Sequence, residues 1–367
     1  MNITGKIKGI EYNVLLSDNN LTEIEISDFD INQVPATCIV KDNKYNFAVS
    51  KWVSPKRTRS YPFERVYNSL HIAKKITIIP VIKDEGARGD RDYIQWDTVS
   101  LMSLLDVFVI FAYYDAAKIN PRNSKKITTQ QFNNKYVVSK IKEIENYHSS
   151  ALHWNVNELN TNFYNIVDIA QQAYYKIEKQ TGVKLHHADG LENFKTKIGN
   201  HISTFMKFSR EKAEKAQSRE FVTIQPKESL STLSKAKITI TNYLGGQYFF
   251  TVDEIAVTEK IIKLIEGKHC KSSLLPSLSD IKDGLLKMIL YSNLVEVTAN
   301  GAKIKSEAIL SLTSQKLKGK ASSASTDEEI KTFLKENKFS ISQQQLINLL
   351  FEEARQNEFV IQIQFSK

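Results

Sequence analysis

Sulfur is scarce in this chain. Its 367 residues include only two cysteines, Cys38 and Cys270, far apart and without a CxxC pair. A disulfide framework and a thiolate zinc site are therefore both excluded, and a reducing cytoplasm is the expected compartment. Long apolar runs are missing too. The longest, from Leu104 to Tyr114, is interrupted by Asp106 and falls short of the roughly 18 apolar residues that a membrane span requires. The opening MNITGKIKGI lacks the charged-then-apolar layout of a secretory signal. A GxxxxGKS/T phosphate loop is absent, so ATP-driven translocation is not expected. The histidines offer no zinc geometry: His186 and His187 are adjacent and point apart, and His148 and His153 are five apart rather than four. No internal repeat is visible.

What is present is an ordinary globular balance, 41% hydrophobic and 25% charged, long enough for two cores, with a formal charge of +9. The excess of cations supplies an attractive field for a polyanion, nucleic acid above all. Three sections differ in pattern. Residues 1–123 are expected to form a β-rich module: EIEISDFDI and ATCIVKDNKYNFAV alternate, and KKITIIPVI looks like a buried strand. Residues 124–225 carry apolar residues at helical spacing, as in LNTNFYNIVDIAQQAYYKIEKQ, with Gly182 placed to end that helix. Residues 226–367 open with three β-rich runs, KAKITITNYL, QYFFTVDEIAV and KIIKLIEGKHC, read as a meander of hairpins. The amphipathic helix DIKDGLLKMILYSNL follows. Beyond a small-residue linker, GKASSAS, come two helices and the strand FVIQIQF. That tail fits either a winged helix-turn-helix or a helical pair with an edge strand closing the sheet, and we favour the second.

The chemistry concentrates at the ends of two of these runs. Asp253 ends the strand QYFFTV, and Glu266 and Lys268 end KIIKLI. A turn near Lys260 would bring Asp253 beside Glu266, and strand alternation puts Glu266 and Lys268 on one face. Two carboxylates suit Mg2+, with the Gly267 carbonyl as a further oxygen ligand. A lysine beside them suits the orientation of an attacking water or the offset of transition-state charge.

Asp253 followed on the next strand by Glu266-Gly267-Lys268 resembles the PD-(D/E)xK nuclease signature shared by restriction endonucleases. The likeness covers roughly Lys235 to Leu294, and Val252 stands where the signature has proline. The resemblance implies an α/β fold: a restriction-endonuclease-like core, with a central mixed β-sheet flanked by helices, to which the N-terminal β-rich module and helical middle are added. It also implies Asp253 and Glu266 as metal ligands, and a type II restriction endonuclease cutting double-stranded DNA at a specific site with Mg2+. Such enzymes usually act as homodimers and coexist with a DNA methyltransferase. The alternatives are another nuclease of this class in repair, transposition or antiviral defence, and a non-catalytic DNA-binding protein.

Other residues are candidates in supporting roles. Glu211, Glu214 and Glu220 precede the sheet on a helix, where the family often places an assisting glutamate. The segment KWVSPKRTRSYPFERVY contains two prolines that oppose a regular helix. Its cations Lys51, Lys56, Arg57, Arg59 and Arg65 interleave with aromatics, a DNA-binding pattern, and Lys271 could reach a phosphate. The segment DEGARGDRD, with Asp84, Glu85, Asp90 and Asp92, and Asp97 beyond it, reads as an exposed turn, or else as a second metal site.

Overall fold

In the segment NITGKI the apolar residues alternate, so an extended chain buries Ile3 and Ile7 and exposes Asn2, Thr4 and Lys6 as strand β1 (Asn2–Ile7). The computed structural model describes residues 1–16, 21–42, 45–56, 62–187, 189–198, 202–222, 235–258 and 260–366. It divides into two units, Met1–Asp18 with Lys212–Lys367, and Asn19–Glu211. This partition cuts across the three sections read from composition: the helical section falls with the N-terminal module, and β1 falls with the C-terminal residues.

The unit Asn19–Glu211 is built on a mixed five-stranded sheet of order β2-β3-β4-β5-β8. Its strands are β2 (Glu23–Glu25), β3 (Thr37–Lys41), β4 (Asn46–Lys51), β5 (Lys74–Pro80) and β8 (Val107–Ala112). Helices α1 (Pro62–Ser69) and α2 (Trp96–Leu104) lie in the crossovers that make β4, β5 and β8 parallel. The prolines of residues 51–67 do not exclude a helix. Pro62 opens α1, where a missing N–H costs nothing. Strands β6 (Ile82–Asp84) and β7 (Arg91–Tyr93) pair as a short hairpin, and its Asp84 and Asp92 are buried rather than exposed as expected. A second ribbon pairs β9 (Tyr114–Asn120) with β10 (Asn123–Phe132). Helices α3 (Asn134–Glu145), α4 (Ala151–Thr161), α5 (Phe163–Thr181) and α6 (Asp189–Ile198) follow, and α7 (Ile202–Val222) divides its residues between the two units. Gly182 ends α5 in the left-handed conformation at φ 67°, as its position in the sequence predicts.

The other unit holds two sheets. In the first, β1 pairs parallel with β11 (Ala236–Asn242) and antiparallel with β15 (Val295–Ala299); β12 (Gln247–Val252) and β16 (Ala302–Lys303) form its edges. The second has the order β13-β14-β17-β19-β18. It comprises β13 (Glu254–Val257), β14 (Ile261–Cys270), β17 (Lys305–Ser314), β18 (Lys320–Ser322) and β19 (Val360–Phe365). Its three central strands, β14, β17 and β19, are parallel, and β13 and β18 are antiparallel to their neighbours. Helix α8 (Leu278–Ser292) packs on β14 and β17 and buries Ile281, Leu285, Leu286, Met288 and Ile289. Helices α9 (Asp327–Glu336) and α10 (Ile341–Gln356) complete the unit, and each opens with a capping box.

Mixed α/β architecture is thus established, with several mixed sheets and, among the described residues, ten α-helices. Three local expectations are corrected. The runs QYFFTV and DEIAV are not two stretches of one meander strand, because the chain leaves the first sheet at Val252 and enters the second at Glu254. GKASSAS is not a linker but supplies the edge strand β18. FVIQIQF is not an edge: β19 lies between β17 and β18.

Candidate active site

Asp253 is the single residue between β12 and β13, at the point where the chain changes sheets. A strand that continued straight would have carried this side chain along its own sheet. The bend sets it against β14, where its Oδ2 accepts the Gly267 N–H at 2.9 Å. Because a residue of an extended strand turns its N–H and C=O to the same edge, the Gly267 carbonyl leaves β14 on the Asp253 side.

Glu266 lies two residues before Lys268, so both side chains leave β14 on one face. Glu266 is buried, and the Lys268 Nζ stands 3.0 Å from its Oε1. Helix α8 lies over this face and adds two residues that strand-based reasoning missed. Lys287 Nζ donates to the same Glu266 Oε1 at 2.7 Å, and Asp283 Oδ2 accepts from Lys268 Nζ at 2.9 Å. Their signal was available, since an acid and a base four apart fall on one helix face. What the sequence could not supply was that this face meets β14. Gly284 permits the approach: a Cβ there would stand 2.6 Å from Leu310 Cδ1 and 3.3 Å from Lys268 Cε.

The electrostatics of the two carboxylates diverge. Burial, then the charge of Glu266, pushes the Asp253 carboxyl up to about 7. Burial would raise Glu266 as well, but the ammonium groups of Lys287 and Lys268 outweigh it and hold this carboxyl below its ordinary range. Both lysines are correspondingly raised: the charge of Glu266 overcomes the burial that would otherwise lower them. The cluster therefore holds one firmly ionised carboxylate and one that titrates near neutrality.

A divalent ion fits this donor set. Glu266 Oε2 is buried and has no hydrogen-bond partner, which is costly unless some cation or donor completes it. The available atoms are hard oxygens from Glu266, Asp253 and the Gly267 carbonyl, suited to Mg2+, which keeps several of its own waters. Among the described residues no three His, Cys, Asp or Glu side chains converge as a metal cage. Any ion here would therefore rest on two carboxylates.

The other candidates are placed as follows. Lys271 is exposed beyond the end of β14, and His269 Nδ1 meets Thr313 Oγ1 at 2.8 Å. Glu211 and Glu214 are exposed on α7, and the side chain of Glu220 lies outside the described residues. Lys51 Nζ donates to the carbonyls of Ile31 and Val34 at 2.7 and 2.6 Å, and Arg65 Nη1 donates to the Lys51 carbonyl at 2.7 Å. Lys56 Nζ pairs with the buried Asp92 at 2.6 Å. These three cations are thus engaged within their own unit, whereas Arg57 and Arg59 lie outside the described residues. The acidic segment forms a tight structural cluster around Asp84, in which Arg91 and His186 are the partners. No helix among the described residues is long and apolar enough to cross a membrane. Comparison of the chain with protein-family models, with curated proteins and with solved structures finds no match.

Proposed function

We propose that this chain is a Mg2+-dependent endonuclease of double-stranded DNA with a restriction-endonuclease-like core, and that it acts as a type II restriction enzyme in the cytoplasm. The observation that carries the reading is Glu266: a buried, ionised carboxylate with one oxygen tied to two lysines and the other unpartnered, facing a second carboxylate held by the Gly267 N–H. Asp253, Glu266 and the Gly267 carbonyl would hold the ion. Mg2+ supplies a water nucleophilic at neutral pH and offsets charge on the scissile phosphate. Lys268, fixed between Glu266 and Asp283, keeps its proton and presents a cation to the developing negative charge. Lys287 does not need to touch the substrate. Its ammonium keeps Glu266 ionised within the core, and Asp283 steadies Lys268. A homodimer and a separately encoded DNA methyltransferase are the partners that this reading brings with it.

A second reading, a DNA-binding protein with an inert core, draws on the same ion pairs, since two ammonium groups already neutralise Glu266. Incubation of the purified protein with unmethylated phage DNA, with and without Mg2+, separates the two. Discrete metal-dependent fragments are expected. A metal-dependent smear would retain the nuclease and remove site specificity. DNA left intact under Mg2+ and Mn2+, yet bound, would favour the inert core.

A further inference from the structure

One cationic stretch of the unit Asn19–Glu211 lies on ribbon β9–β10. Ribbon β9–β10 carries Lys118, Arg122, Lys125 and Lys126 within nine residues, and the only acid between Tyr114 and Phe132 is Asp115, at the base, where it accepts from Asn133. Lys118, Arg122 and Lys125 are exposed and Lys126 is half-buried, and none of the four has an ion-pair partner among the described residues. Several other lysines of the same unit are paired, though the exposed Lys142 and Lys176 on the helices have no ion pair among the described residues. Lys41 pairs with Glu23, Lys83 with Glu85, Lys140 with Glu158, and Lys195 with Asp168. Four cations left uncompensated in so short a stretch repel one another, a cost that a polyanion removes.

The ribbon, whose pairing carries three register shifts, is fastened to its surroundings at several points. Asn120 Oδ1 accepts the Arg122 N–H at 2.9 Å and Asn123 Oδ1 accepts the Lys125 N–H at 3.1 Å, so the tip is a formed turn. Along its length β9 packs against α5, and β10 is pinned where the Ile127 N–H reaches the Glu85 carbonyl. Gly86, at φ 105°, lies so close to β10 that a Cβ would stand 2.9 Å from the Lys125 carbonyl. Beside the ribbon is an open pocket of about 430 Å³ lined by Lys126, Asn120 and Thr128, by Lys51, which is engaged by carbonyls, and by the paired Lys83 and Glu85. A two-stranded ribbon fits the roughly 12 Å width of a DNA major groove.

We propose that the tip of ribbon β9–β10 is a docking element for duplex DNA, with Lys118, Arg122, Lys125 and Lys126 neutralising backbone phosphates. The choice of DNA as the polyanion rests on the nuclease reading; the existence of the docking surface does not. The role differs from that expected for Lys51, Lys56 and Arg65, which are engaged by carbonyls and a buried carboxylate.

The test is fluorescence anisotropy with a labelled DNA duplex in EDTA, where no cleavage occurs, across about 50 to 200 mM salt. Wild type is compared with the triple variant Lys118→Ala, Arg122→Ala, Lys125→Ala and with a control, Lys142→Ala plus Lys176→Ala, which removes exposed lysines of α3 and α5. The triple variant should bind at least about tenfold more weakly at low salt. Its log K against log salt slope should be shallower by about 2 to 3, near 0.9 for each phosphate no longer neutralised. The control should match wild type, and all three should melt together. Equal slopes for wild type and triple variant would overturn the proposal, as would a wild type that binds duplex RNA or an acidic protein but not DNA. Failure of the nuclease reading shows separately, as intact DNA in Mg2+ with the salt slopes still different.

Discussion

Two buried carboxylate clusters, one in each unit, look alike on paper and differ in one respect. Around Asp84, every oxygen is occupied. Oδ1 accepts the Gly86 N–H at 2.8 Å and meets His186 Nδ1 at 2.8 Å, and Oδ2 pairs with Arg91 Nε at 2.9 Å and accepts the His186 N–H. Arg91 continues to Tyr93 and to the His187 carbonyl. Around Glu266, two ammonium groups crowd one oxygen and leave the other bare. The first arrangement is closed and stabilises a fold. The second is open and retains capacity for a ligand. Counting acids in a sequence cannot separate these cases, since both segments carry closely spaced acidic and basic residues.

The sharpest way to break this contrast is to remove the open cluster. Asp253→Ala, Glu266→Gln and Lys268→Ala are each expected to reduce DNA cleavage by about 1,000-fold or more, roughly 4 kcal/mol in the barrier. Binding to the duplex in EDTA should be retained. Wild-type rates in any one variant would remove that residue from the mechanism. Next in size, Asp84→Ala strands Arg91 and His186 in a buried site and should destabilise its unit by about 3 kcal/mol in urea unfolding. Cleavage per folded molecule should be unchanged; a selective loss of cleavage would mean that the Asp84 cluster is not merely structural.

A smaller effect of opposite sign is expected at Asp253. Its folded carboxyl titrates near 7, well above the ordinary range, so its contribution favours folding below about pH 4 and is lost as pH rises through 7. Asp253→Asn keeps an acceptor for the Gly267 N–H and cannot ionise. Without metal, it should therefore be more stable than wild type at pH 8, by about 1–2 kcal/mol, with the difference vanishing toward pH 4. Thermal melts at the two pH values measure this, and an equal difference at both would refute the raised titration of Asp253. If Asp253 and Glu266 hold Mg2+ as proposed, the same titration should make the protection that added Mg2+ gives against unfolding grow between about pH 6 and 8 in wild type, measured by thermal melts with and without the ion. Smallest of all, Lys287→Met should shift the acid limb of the cleavage profile upward by about one pH unit, because Glu266 loses its nearest ammonium. An unmoved limb with reduced stability would make Lys287 a structural residue only.

Much of this site is legible in the sequence because strands are periodic: Glu266 and Lys268 must share a face of β14, and a hairpin brings Asp253 near them. What is not legible is tertiary. Nothing in QYFFTVDEIAV marks Asp253 as the corner between two sheets, because both flanks are apolar and extended. Asp283 and Lys287 look like any solvated pair until α8 is placed over β14, which depends on Gly284 and Leu310 meeting closely. Asp84 and Asp92 mislead for the converse reason. A polar, glycine-containing run reads as exposed turn, yet Arg91, His186 and Lys56 supply enough partners to bury both acids. The ribbon β9–β10 is faint in the sequence because YDAAKINPRNSKKITTQQF lacks an apolar stripe, although Asn120-Pro121 marks its turn.

Strand β1 also bears on how the molecule comes to exist during synthesis. It sits between β11 and β15, pairing Ile3 with Ile238 and with Ala299, and the residues that follow it are fastened to α10, where Glu353 accepts from Tyr12 and from the N–H groups of Leu15 and Leu16. This strand must wait for partners translated more than two hundred residues later. Asn19–Glu211 can leave the ribosome and fold in the interval, whereas the unit that holds Asp253 and Glu266 closes only after α10 has been made. An unfinished copy thus lacks the closed unit in which Asp253, Glu266 and Lys268 are set, and under the proposed nuclease function it would be unable to cut DNA before its synthesis is complete.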